Sequence, residues 1–390
     1  MKVLVVHNHY QQAGGEDAVV RDEVALLRHF GHEVLLHERS NEELNALPAF
    51  GKVSRMLRMD WSDQSCREIR GLIREFKPQV VHFHNIFFML TPSVYYACRE
   101  EKVPVVQSLH NFRMLCANGL LFRDGGVCED CLTKSRWEGV KHGCYRNSPV
   151  LSFLVGRMSQ EHRRRKTWER CVDRYVTATE FTRRKYIANG LAADKVLVKP
   201  HFVYPDPGLS AQHEGYALFA GRLSEEKGVA MLLAAWEKIK DFPLRVLGDG
   251  PLSGKLKDLA RQRDIKNVEF LGFLSPEEYG AALAKASFVV IPSICYENFP
   301  RMVVEAYSRG IPVVASRLGS MEEIVKDGRT GLLFEPGKPE QLIDRCRFLI
   351  DNPAELVRLR RSARQEYEER YTIGKNHEQL MHSYQQAIHS

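Results

Sequence analysis

Short runs of valine and leucine recur along the whole chain, with helical patterns between them, and they constrain the fold most. In the first half the runs are KVLVVH, HEVLLHE, QVVHFHN, VPVVQSLH, DRYVTATE and KVLVKPH; in the second they are YALFAGRL, LRVLGDG, VEFLGFL, SFVVIPS, IPVVASRL and GLLFEPG. Apolar and polar residues hardly alternate within them, which is typical of strands buried on both faces of a parallel sheet. Strands and helices in turn predict α/β units, and the series restarts after about residue 213.

Length and linker composition predict two large domains. The chain has 390 residues, and the passage YPDPGLSAQHEG between the halves has two prolines, two glycines and no periodicity. We expect an N-terminal α/β domain over residues 1–205, with a cysteine-rich loop at 114–146, and a C-terminal α/β domain over 206–370. Residues 371–390 should form a helix that crosses back to the first domain. Ligands should bind in a cleft between the carboxyl ends of the two sheets.

Two cations follow the first strand of the second half. In YALFAGRLSEEKGVAMLLAAW, Gly221 ends the strand, and Arg222 and Lys227 lie in the connection to the next helix. A helix N-terminus favours anions. An arginine, which can donate two parallel hydrogen bonds to a phosphate, together with a lysine ammonium group, suits a diphosphate. The alternative is two solvated surface charges, and this motif alone does not decide between them.

Two carboxylates stand in an apolar neighbourhood. In YENFPRMVVEAYSRGIPVVAS, we expect Glu297 in a loop and Glu305 about two helical turns further, on nearly the same face. Asn298, Phe299 and Pro300 lie at the predicted helix start, where free amides can meet sugar hydroxyls. An ionised carboxylate accepts hydrogen bonds from paired hydroxyls, so the pair suits a hydroxyl-rich ligand. Alternatively, Glu297 caps the helix and Glu305 pairs with a local arginine.

These motifs carry a family resemblance. GRLSEEKG, LGDGP, LGFLSPEE, YENFPRMVVEA, GIPVVAS and GSMEEIVKDGRTGLLF occur in the order seen in retaining glycosyltransferases of family 4, whose signature is the Glu-x7-Glu pair. KPQVVHFHN, VPVVQSLHNFRMLC and AGGED extend the likeness over nearly the whole chain. The chain is most similar to the branch that builds bacterial polysaccharides. The resemblance implies the GT-B fold: two Rossmann-like parallel-sheet domains facing across a cleft, with a C-terminal helical tail. The N-terminal domain, 1–205, would then be the acceptor side, and the C-terminal domain, 206–370, would bind the nucleotide-sugar donor.

The resemblance also implies roles in binding the donor, a nucleotide sugar. Arg222 and Lys227 would hold the diphosphate, Glu305 would bind the ribose hydroxyls, and Glu297 would bind the donor sugar and take part in catalysis. UDP is the favoured nucleotide, with GDP second. The acceptor would be a glycan, with a lipid-linked one favoured.

Backbone groups complete the implied donor site. The chain around Phe273 and Leu274 would meet the base. Many relatives carry glycine where this chain has Pro300, and a proline removes one amide donor from the turn. Amide contacts to the sugar should therefore come from Phe299 and Arg301.

In the first half, a glycine turn and a histidine are the main candidates. Gly14 and Gly15 precede a helix, where the backbone can approach a phosphate, although a plain flexible turn is the alternative. His110 ends the strand VPVVQSL, and the matching histidine of relatives lies beside the reacting sugar. Asn111 and Arg113 would line the acceptor side. Weaker candidates that also end strands are His7, His9, His82 and His84.

The expected chemistry is glycosyl transfer through an oxocarbenium-like state. The sequence has no Asp-x-Asp motif for a divalent metal, and the fixed cations can stabilise the departing diphosphate instead. We therefore expect no cofactor for catalysis. The family retains anomeric configuration, and since no convincing nucleophile is evident, a front-face mechanism fits best.

A cysteine cluster interrupts the first half. Cys128 and Cys131 form a C-x2-C pair, with Cys116 and Cys144 flanking it in an irregular loop. Four thiolates at such spacing predict structural Zn²⁺, and unligated thiols or a disulfide are the alternatives.

Charge and hydropathy suggest a cytoplasmic protein that docks on the inner, anionic face of a membrane. The net charge is +7, no secretory signal is evident, and no apolar run reaches the about 18 residues of a membrane span. An apolar stripe precedes a cationic cluster in PVLSFLVGRMSQEHRRRKTWERCVDRY, and it could instead pack into the core. The stripe is Leu151, Leu154, Val155 and Met158; the cations are Arg163, Arg164, Arg165, Lys166 and Arg170, with Arg183, Arg184 and Lys185 beyond. We expect no nucleic-acid partner.

Three other classes of protein fit the sequence less well. A nucleotide-sugar epimerase of related fold lacks the pairing of GRLSEEKG with Glu-x7-Glu, and a non-catalytic nucleotide-sugar-binding protein need not keep Arg222, Lys227, Glu297 and Glu305. A dinucleotide-dependent dehydrogenase is disfavoured because the GxGxxG fingerprint is absent.

Overall fold

The structure is a computed structural model that describes residues 1–11, 14–210 and 213–390. One residue of the AGGED motif and two residues of the predicted linker lie outside this part. The chain divides into two compact units. The first comprises Met1–Leu121, Cys128–Pro200 and Ile373–Ser390, and the second comprises Phe122–Val127 and His201–Thr372.

The described residues form two six-stranded sheets and one small hairpin. Their strands, numbered along the chain, are β1 (Lys2–His9), β2 (Glu33–Ser40), β3 (Val80–Phe83), β4 (Val105–Ser108), β5 (Phe122–Arg123), β6 (Gly126–Val127), β7 (Arg174–Thr177), β8 (Val196–Val198), β9 (Ala217–Ala220), β10 (Leu244–Leu247), β11 (Val268–Gly272), β12 (Phe288–Ile291), β13 (Val313–Ser316) and β14 (Gly331–Phe334).

Helices connect the strands. The α-helices are α1 (Gly15–His29), α2 (Ala49–Leu57), α3 (Asp63–Phe76), α4 (Val94–Glu100), α5 (Asp130–Thr133), α6 (Glu138–Lys141), α7 (Pro149–Arg164), α8 (Thr167–Arg170), α9 (Glu180–Ala188), α10 (Val229–Trp236), α11 (Ser253–Gln262), α12 (Pro276–Lys285), α13 (Arg301–Ser308), α14 (Ser320–Ile324), α15 (Pro339–Asp351), α16 (Pro353–Arg370) and α17 (Ile373–Ile388). Short 3-10 helices are Asn41–Ala46, Ala193–Lys195 and Glu225–Lys227.

Each six-stranded sheet is parallel and has one point where the strand order reverses. The first unit's sheet runs β2-β1-β3-β4-β7-β8, and the second unit's runs β11-β10-β9-β12-β13-β14. Connections leave β1 and β3, or β9 and β12, toward opposite sides of the sheet, which opens a crevice at their carboxyl ends. Ligands of doubly wound folds bind at this switch point, so the loops after these four strands are the place to look for a site.

Burial explains why the runs could be recognised. Every residue of the central strands β3, β4, β12 and β13 is buried, as expected for strands covered by helices on both faces, and so is every residue of the edge strand β14. The edge strands β2 and β11 are only half-buried, although their runs look similar in the sequence. All twelve predicted runs are strands of the two large sheets; the hairpin β5–β6 was not predicted.

The C-terminal tail is helical, as predicted, and it belongs to the first unit. Helix α17 packs against α1, β3, β4 and β7, and Tyr384 in this helix lies with its hydroxyl 2.8 Å from Nδ1 of His82. The units divide after Pro200 and Thr372, whereas the predicted boundaries are at 205 and 370. The hairpin β5–β6, from within the cysteine-rich loop, groups with the second unit.

The apolar stripe of α7 is in the core, so the interpretation that it faces a membrane is wrong. Leu154, Val155 and Met158 are buried against Phe87 and Phe88, and Leu151 packs on the same cluster. Burial of three large side chains stabilises the fold more than an interfacial position would, because they leave water completely. Among the described residues, none of the helices is both long and apolar enough to span a membrane.

Candidate functional site

The turn after β9 has a shape that only glycine permits. Gly228 follows the 3-10 helix Glu225–Lys227 with a φ of +68°, and a Cβ there would lie 2.0 Å from the carbonyl oxygen of Pro292. Pro292 begins the loop after β12, and Ile294 N–H in that loop donates to Glu226 O (2.9 Å). The loops that follow β9 and β12 are therefore joined backbone to backbone at the second unit's switch point.

The LGDGP motif fixes the other side of the same turn. A Cβ on Gly248 would lie 2.0 Å from Gly221 O, and one on Gly250 would lie 2.6 Å from Leu223 O. Leu223 N–H donates to Asp249 O (3.0 Å), so the loop after β10 is hydrogen-bonded to the loop after β9. Glycines here allow close approach of two backbones, which is a structural reason for the motif.

Lys227 and Glu297 meet at this switch point. The lysine Nζ lies 2.6 Å from Glu297 Oε1, and Ser293 Oγ donates to the same oxygen at 2.6 Å. Burial alone would raise the pKa of Glu297, but Lys227 and Ser293 bring it below its usual value. Burial alone would lower the pKa of Lys227, and Glu297 raises it instead. Both groups are therefore charged, and the sequence-predicted donor residues from two loops form one ion pair.

Arg222 differs from Lys227 in its surroundings. Its side chain is exposed, and no ion pair or hydrogen bond of it is found within the described residues. The guanidinium is thus available to a diphosphate, whereas Lys227 is already engaged by Glu297.

Glu305 lies in α13 and has partners of its own. Arg301 donates to Oε1 from Nε (3.1 Å) and Nη2 (2.9 Å), and Tyr279 O–H donates to Oε2 (2.6 Å). The prediction that Glu297 and Glu305 share nearly one helical face is wrong, because α13 begins at Arg301 and Glu297 precedes it. Helix capping by Glu297 is also excluded, since the cap residue is Pro300. A local arginine does pair with Glu305 and occupies both lone pairs of Oε1, yet Oε2, which accepts from Tyr279, can accept a further hydrogen bond.

The start of α13 presents backbone amides. Pro300 is the N-cap residue, so the first helical amide belongs to Arg301. Phe299 is buried, with its ring edge-on to His201 (5.1 Å) and Tyr371 (5.9 Å). Its side chain therefore anchors the turn, and only its backbone is left for a ligand. Asn298 is half-buried beside it.

Phe273 stands out among the apolar residues of the second unit. It follows Gly272, which has a φ of +69°, and 84% of the phenylalanine is exposed. Leu274, its neighbour, is half-buried. Exposure of a phenylalanine at the carboxyl end of β11 costs hydrophobic free energy, and a planar aromatic ligand would recover it by stacking.

The first unit's glycine turn is different from that of the second unit. Gly14 has an extended backbone with φ of −131°, and a Cβ there would meet nothing within 4 Å. Its N–H donates to Asp17 Oδ2 (2.8 Å), and α1 begins at Gly15. The fold itself does not require glycine at position 14.

His110 lies in a pocket of the first unit. The pocket is lined by residues of several loops, including Tyr10, His84, His110, Asn111 and Arg113. His110 Nε2 lies 2.9 Å from His84 Nδ1, and the two rings stack with centroids 5.2 Å apart. The structure therefore brings together three of the residues that the sequence placed on the acceptor side: His110, Asn111 and Arg113.

Glu16 is a candidate that sequence reasoning missed. Burial, with help from the neighbouring Asp17, raises its pKa to about 8, although Arg113 and Asn111 act in the opposite direction. Its Oε1 is buried and has no hydrogen-bond partner within the described residues. A carboxyl that is protonated near neutral pH next to Arg113 is a functional-site candidate. The available signal was its position directly after Gly14-Gly15.

The cysteine cluster is only partly assembled. Cys116 and Cys131 are buried with their thiols hydrogen-bonded, while Cys128 and Cys144 are half-buried. In the described residues, three or more potential metal ligands come within 4.8 Å of one another at a few places, but none of these sets includes a cysteine. As arranged here, the four thiols do not fit a tetrahedral zinc site.

Two family models match consecutive parts of the chain. Residues 13–206 match the model described as Glycosyltransferase Family 4, and residues 205–366 match Glycosyl transferases group 1. Together they span residues 13–366, which include every donor-site candidate of the second unit.

Individual proteins agree with these models. An uncharacterized glycosyltransferase of Methanocaldococcus jannaschii, MJ1178, is 36% identical over 137 residues, which is 35% of this chain and 38% of that protein. The chain thus spans less than two fifths of this curated relative's length.

Solved structures share the fold over the whole chain. Anabaena Alr3699/HepE in complex with UDP and glucose has a TM-score of 0.70 at 16% identity and covers 99% of both chains. The lipopolysaccharide outer core galactosyltransferase WaaB has a TM-score of 0.64 at 16% identity, covering 98% of this chain and 99% of that one. The two parallel sheets, the helical tail, the consecutive family models and these neighbours agree, and the chain belongs to the glycosyltransferases of GT-B fold.

Proposed function

We propose that this protein is a retaining glycosyltransferase that moves a sugar from a nucleoside-diphosphate donor to a glycan acceptor. The observation that carries the proposal is the Lys227–Glu297 ion pair at the second unit's switch point. Its neighbour Arg222 is exposed, and glycine-locked loops hold the pair in place. A charged lysine and an exposed arginine at the carboxyl ends of parallel strands suit a diphosphate.

A UDP-sugar is the favoured donor. The solved structure of HepE, which shares the fold, contains UDP and glucose. In this chain, the exposed ring of Phe273 would contact the base, and Glu305 would accept hydrogen bonds from the ribose. Glu297, which already accepts from Lys227 and Ser293, would accept from a hydroxyl of the donor sugar.

The proposed mechanism uses fixed positive charge. The bond between the anomeric carbon and the diphosphate breaks through an oxocarbenium-like state, and negative charge grows on the leaving phosphate. Arg222 and Lys227 stabilise that charge without reorganising, so we propose catalysis without a metal ion. The acceptor oxygen forms its bond to the anomeric carbon on the face that the diphosphate leaves, and its proton passes to the leaving phosphate, so configuration is retained. His110 would act beside the reacting sugar.

A panel of nucleotide sugars tests the proposal. UDP-sugars and GDP-sugars are added to the full chain, and thermal stability is measured. A ligand at 100 times its dissociation constant stabilises by about 2.7 kcal/mol. We expect a shift with at least one UDP-sugar and release of UDP once a lipid-linked glycan is supplied. Absence of any shift across the panel at millimolar concentrations contradicts the proposal.

We also propose that the first unit docks on an anionic membrane, where a lipid-linked acceptor would be presented. Since the stripe on α7 is buried, a different surface would serve. In α2, Phe50, Val53 and Leu57 are 85%, 54% and 51% exposed, at helical spacing along one face. Arg58 is exposed beside them. On α7, Val150 and Phe153 are exposed as well.

Helices α2 and α7 lie together. Met56 of α2 packs on the cluster that holds Leu154 and Met158 of α7, and Arg157 donates to Leu57 O. The exposed cations Arg163, Arg164 and Arg165 follow at the end of α7, although Arg164 and Arg165 also pair with Glu161. An apolar face with cations nearby is typical of helices that lie in the membrane interface.

Vesicle sedimentation tests the docking surface. Binding should rise with anionic lipid, fall with salt, and drop in a Phe50→Ser/Val53→Ser/Leu57→Ser variant and in a variant with Arg163, Arg164 and Arg165 changed to serine. The matched control is Phe348→Ser, which removes a phenylalanine of the second unit that is 42% exposed. Vesicle binding that is equal in all these proteins contradicts the proposal.

Finally, we propose that the cysteine-rich loop binds structural Zn²⁺ after rearrangement. Cys128 and Cys144 would have to move onto the Cys116–Cys131 pair. Elemental analysis of protein purified with reductant and added zinc should give about one Zn²⁺ per chain, and less in Cys128→Ser. A zinc content near zero contradicts this proposal and leaves the thiol pair as a packing contact.

A further inference from the structure

A buried carboxylate lies behind the pocket of His110. Glu23, on α1, is 1% exposed, and its Oε2 lies 2.8 Å from Nζ of Lys199, which is 3% exposed. Burial alone would raise the pKa of Glu23, but Lys199 above all, and the histidines His82 and His84, hold it well below its usual value. Glu23 is therefore ionised, and an ionised carboxylate can only accept hydrogen bonds.

The other carboxylate oxygen, Oε1, lies near two histidines: His82 in β3, and His84 directly after that strand. Oε1 lies 2.9 Å from Nδ1 of His82 and 3.2 Å from Nε2 of His84, and both imidazoles are fully buried. His82 has further partners, Ser108 Oγ at 2.9 Å and Tyr384 O–H at 2.8 Å. Nε2 of His84 makes no well-aligned hydrogen bond in the described part of the chain, so its 3.2 Å approach to Oε1 of Glu23 is an electrostatic contact.

These contacts determine where the proton of His84 resides. Burial lowers its pKa to about 4, so the ring is neutral and carries one proton. With that proton on Nδ1, the bare and partly negative Nε2 would lie 3.2 Å from the carboxylate of Glu23, which is repulsive. With the proton on Nε2, the partly positive N–H lies beside the carboxylate, and Nδ1 carries a lone pair. The second arrangement is the stable one.

His110 is the hydrogen-bond partner of the Nδ1 lone pair of His84. Its Nε2 lies 2.9 Å from Nδ1 of His84, and the two rings are nearly parallel, at 10°. Because Nδ1 of His84 accepts, Nε2 of His110 must donate. Nδ1 of His110 is then the unprotonated ring nitrogen.

We propose that Glu23 and His84 are positioning residues that hold His110 as its Nε2–H tautomer and fix the orientation of its ring. The chain of contacts runs from Lys199 through Glu23 and His84 to His110 over residues contributed by α1, β3, β4 and β8 and their connections. That this matters for transfer rests on the proposed function of His110. The tautomer itself follows from the buried network alone.

Side-chain nitrogen NMR measures the tautomer directly. The full chain is labelled with 15N-histidine, and the signals of His110 are identified by their loss in His110→Gln. A protonated and an unprotonated ring nitrogen have clearly different shifts. We expect a protonated Nε2 and an unprotonated Nδ1 for His110. A protonated Nδ1 in the unmodified chain overturns the proposal.

Variants at position 84 separate positioning from mere packing. His84→Phe keeps an aromatic ring but removes the acceptor, so the fixed tautomer of His110 should become a mixture, and kcat should fall about 10–100-fold with an unchanged KM for the donor. His84→Gln can accept through its side-chain oxygen and should restore part of both. An unchanged His110 tautomer in His84→Phe overturns the proposal.

Controls cover misfolding and the rest of the network. Glu23→Gln leaves Lys199 buried without its counter-ion, so the double variant Glu23→Gln/Lys199→Met is used beside it, and circular dichroism checks the fold. Tyr384→Phe removes a hydrogen bond only from the His82 side and should leave the His110 signals unchanged. If His110→Gln transfers sugar at the normal rate, the proposed role of His110 is wrong, while the tautomer measurement is unaffected.

Discussion

The two units place their candidate residues at the same point of similar sheets, but they hold them by different means. In the second unit, Gly228 and Gly248 allow three loops to touch backbone to backbone around Lys227 and Glu297. In the first unit, Gly14 lies in open space, and His110 is held by buried side chains instead. The donor-side loops are therefore rigid by steric necessity, whereas the acceptor-side histidine depends on charge and protonation.

The largest expected effect comes from replacing by alanine a glycine that the fold requires, Gly228, and comparing it with one that the fold does not require, Gly14. In Gly228→Ala, the new Cβ would collide with Pro292 O at 2.0 Å in a left-handed conformation, so the second unit should lose at least about 3 kcal/mol of stability. In Gly14→Ala the loss should stay within about 0.5 kcal/mol. Denaturant unfolding measures both.

If Gly14→Ala is as destabilising as Gly228→Ala, the contrast between the units disappears. If Gly14→Ala is stable but transfers sugar slowly, the glycine is required by a ligand, and the comparison becomes sharper.

Replacing the two cations of the second unit, Arg222 and Lys227, should affect UDP binding in both cases but the stability of the unbound protein in only one. Arg222→Ala and Lys227→Ala should each weaken UDP binding by about 1.5–3 kcal/mol, the cost of a lost charged hydrogen bond. Only Lys227→Ala should also lower the stability of the unbound protein, because it leaves Glu297 without its counter-ion. Calorimetry and thermal unfolding measure the two effects.

Unchanged UDP affinity in both variants would show that the diphosphate binds elsewhere. A large loss of stability in Arg222→Ala would show that this arginine has a structural partner after all.

Protonation provides a smaller test in the first unit. Burial raises the pKa of Glu16 to about 8, from an ordinary value of 4.5. The folded state then binds a proton more tightly than the unfolded state, so Glu16 costs stability increasingly as pH rises from about 4.5 to about 8. Glu16→Gln should therefore gain stability relative to the unmodified chain between pH 5 and pH 8, measured by urea unfolding. A difference that is the same at both pH values contradicts the buried, protonated carboxyl.

The same contrast explains what could be predicted from the sequence. The strands were found because buried runs are local, and the donor loops because Gly221, Lys227 and Glu297 belong to short motifs. The partners could not be found in this way. Lys199 lies 176 positions after its partner Glu23, and Tyr279 of α12 contacts Glu305 of α13. Such contacts depend on how elements pack.

Helical periodicity was a second source of error. Leu154, Val155 and Met158 form a stripe that could equally face lipid or core, and the packing partners Phe87 and Phe88 come from a distant loop. The exposed apolar face of α2 also has helical spacing, but spacing alone does not tell a face that packs in the core from one that meets solvent, and no side chain of α2 is buried.

Calorimetry with UDP and two glutamate variants tests the central claim most directly. The claim is that the second unit binds the nucleotide of a sugar donor, with Glu305 at the ribose and Glu297 at the sugar. UDP should bind the unmodified chain, bind more weakly to Glu305→Gln because that residue contacts the nucleotide, and bind Glu297→Gln with unchanged affinity. No measurable binding of UDP or GDP to the unmodified chain, or loss of UDP binding in Glu297→Gln alone, would contradict the account.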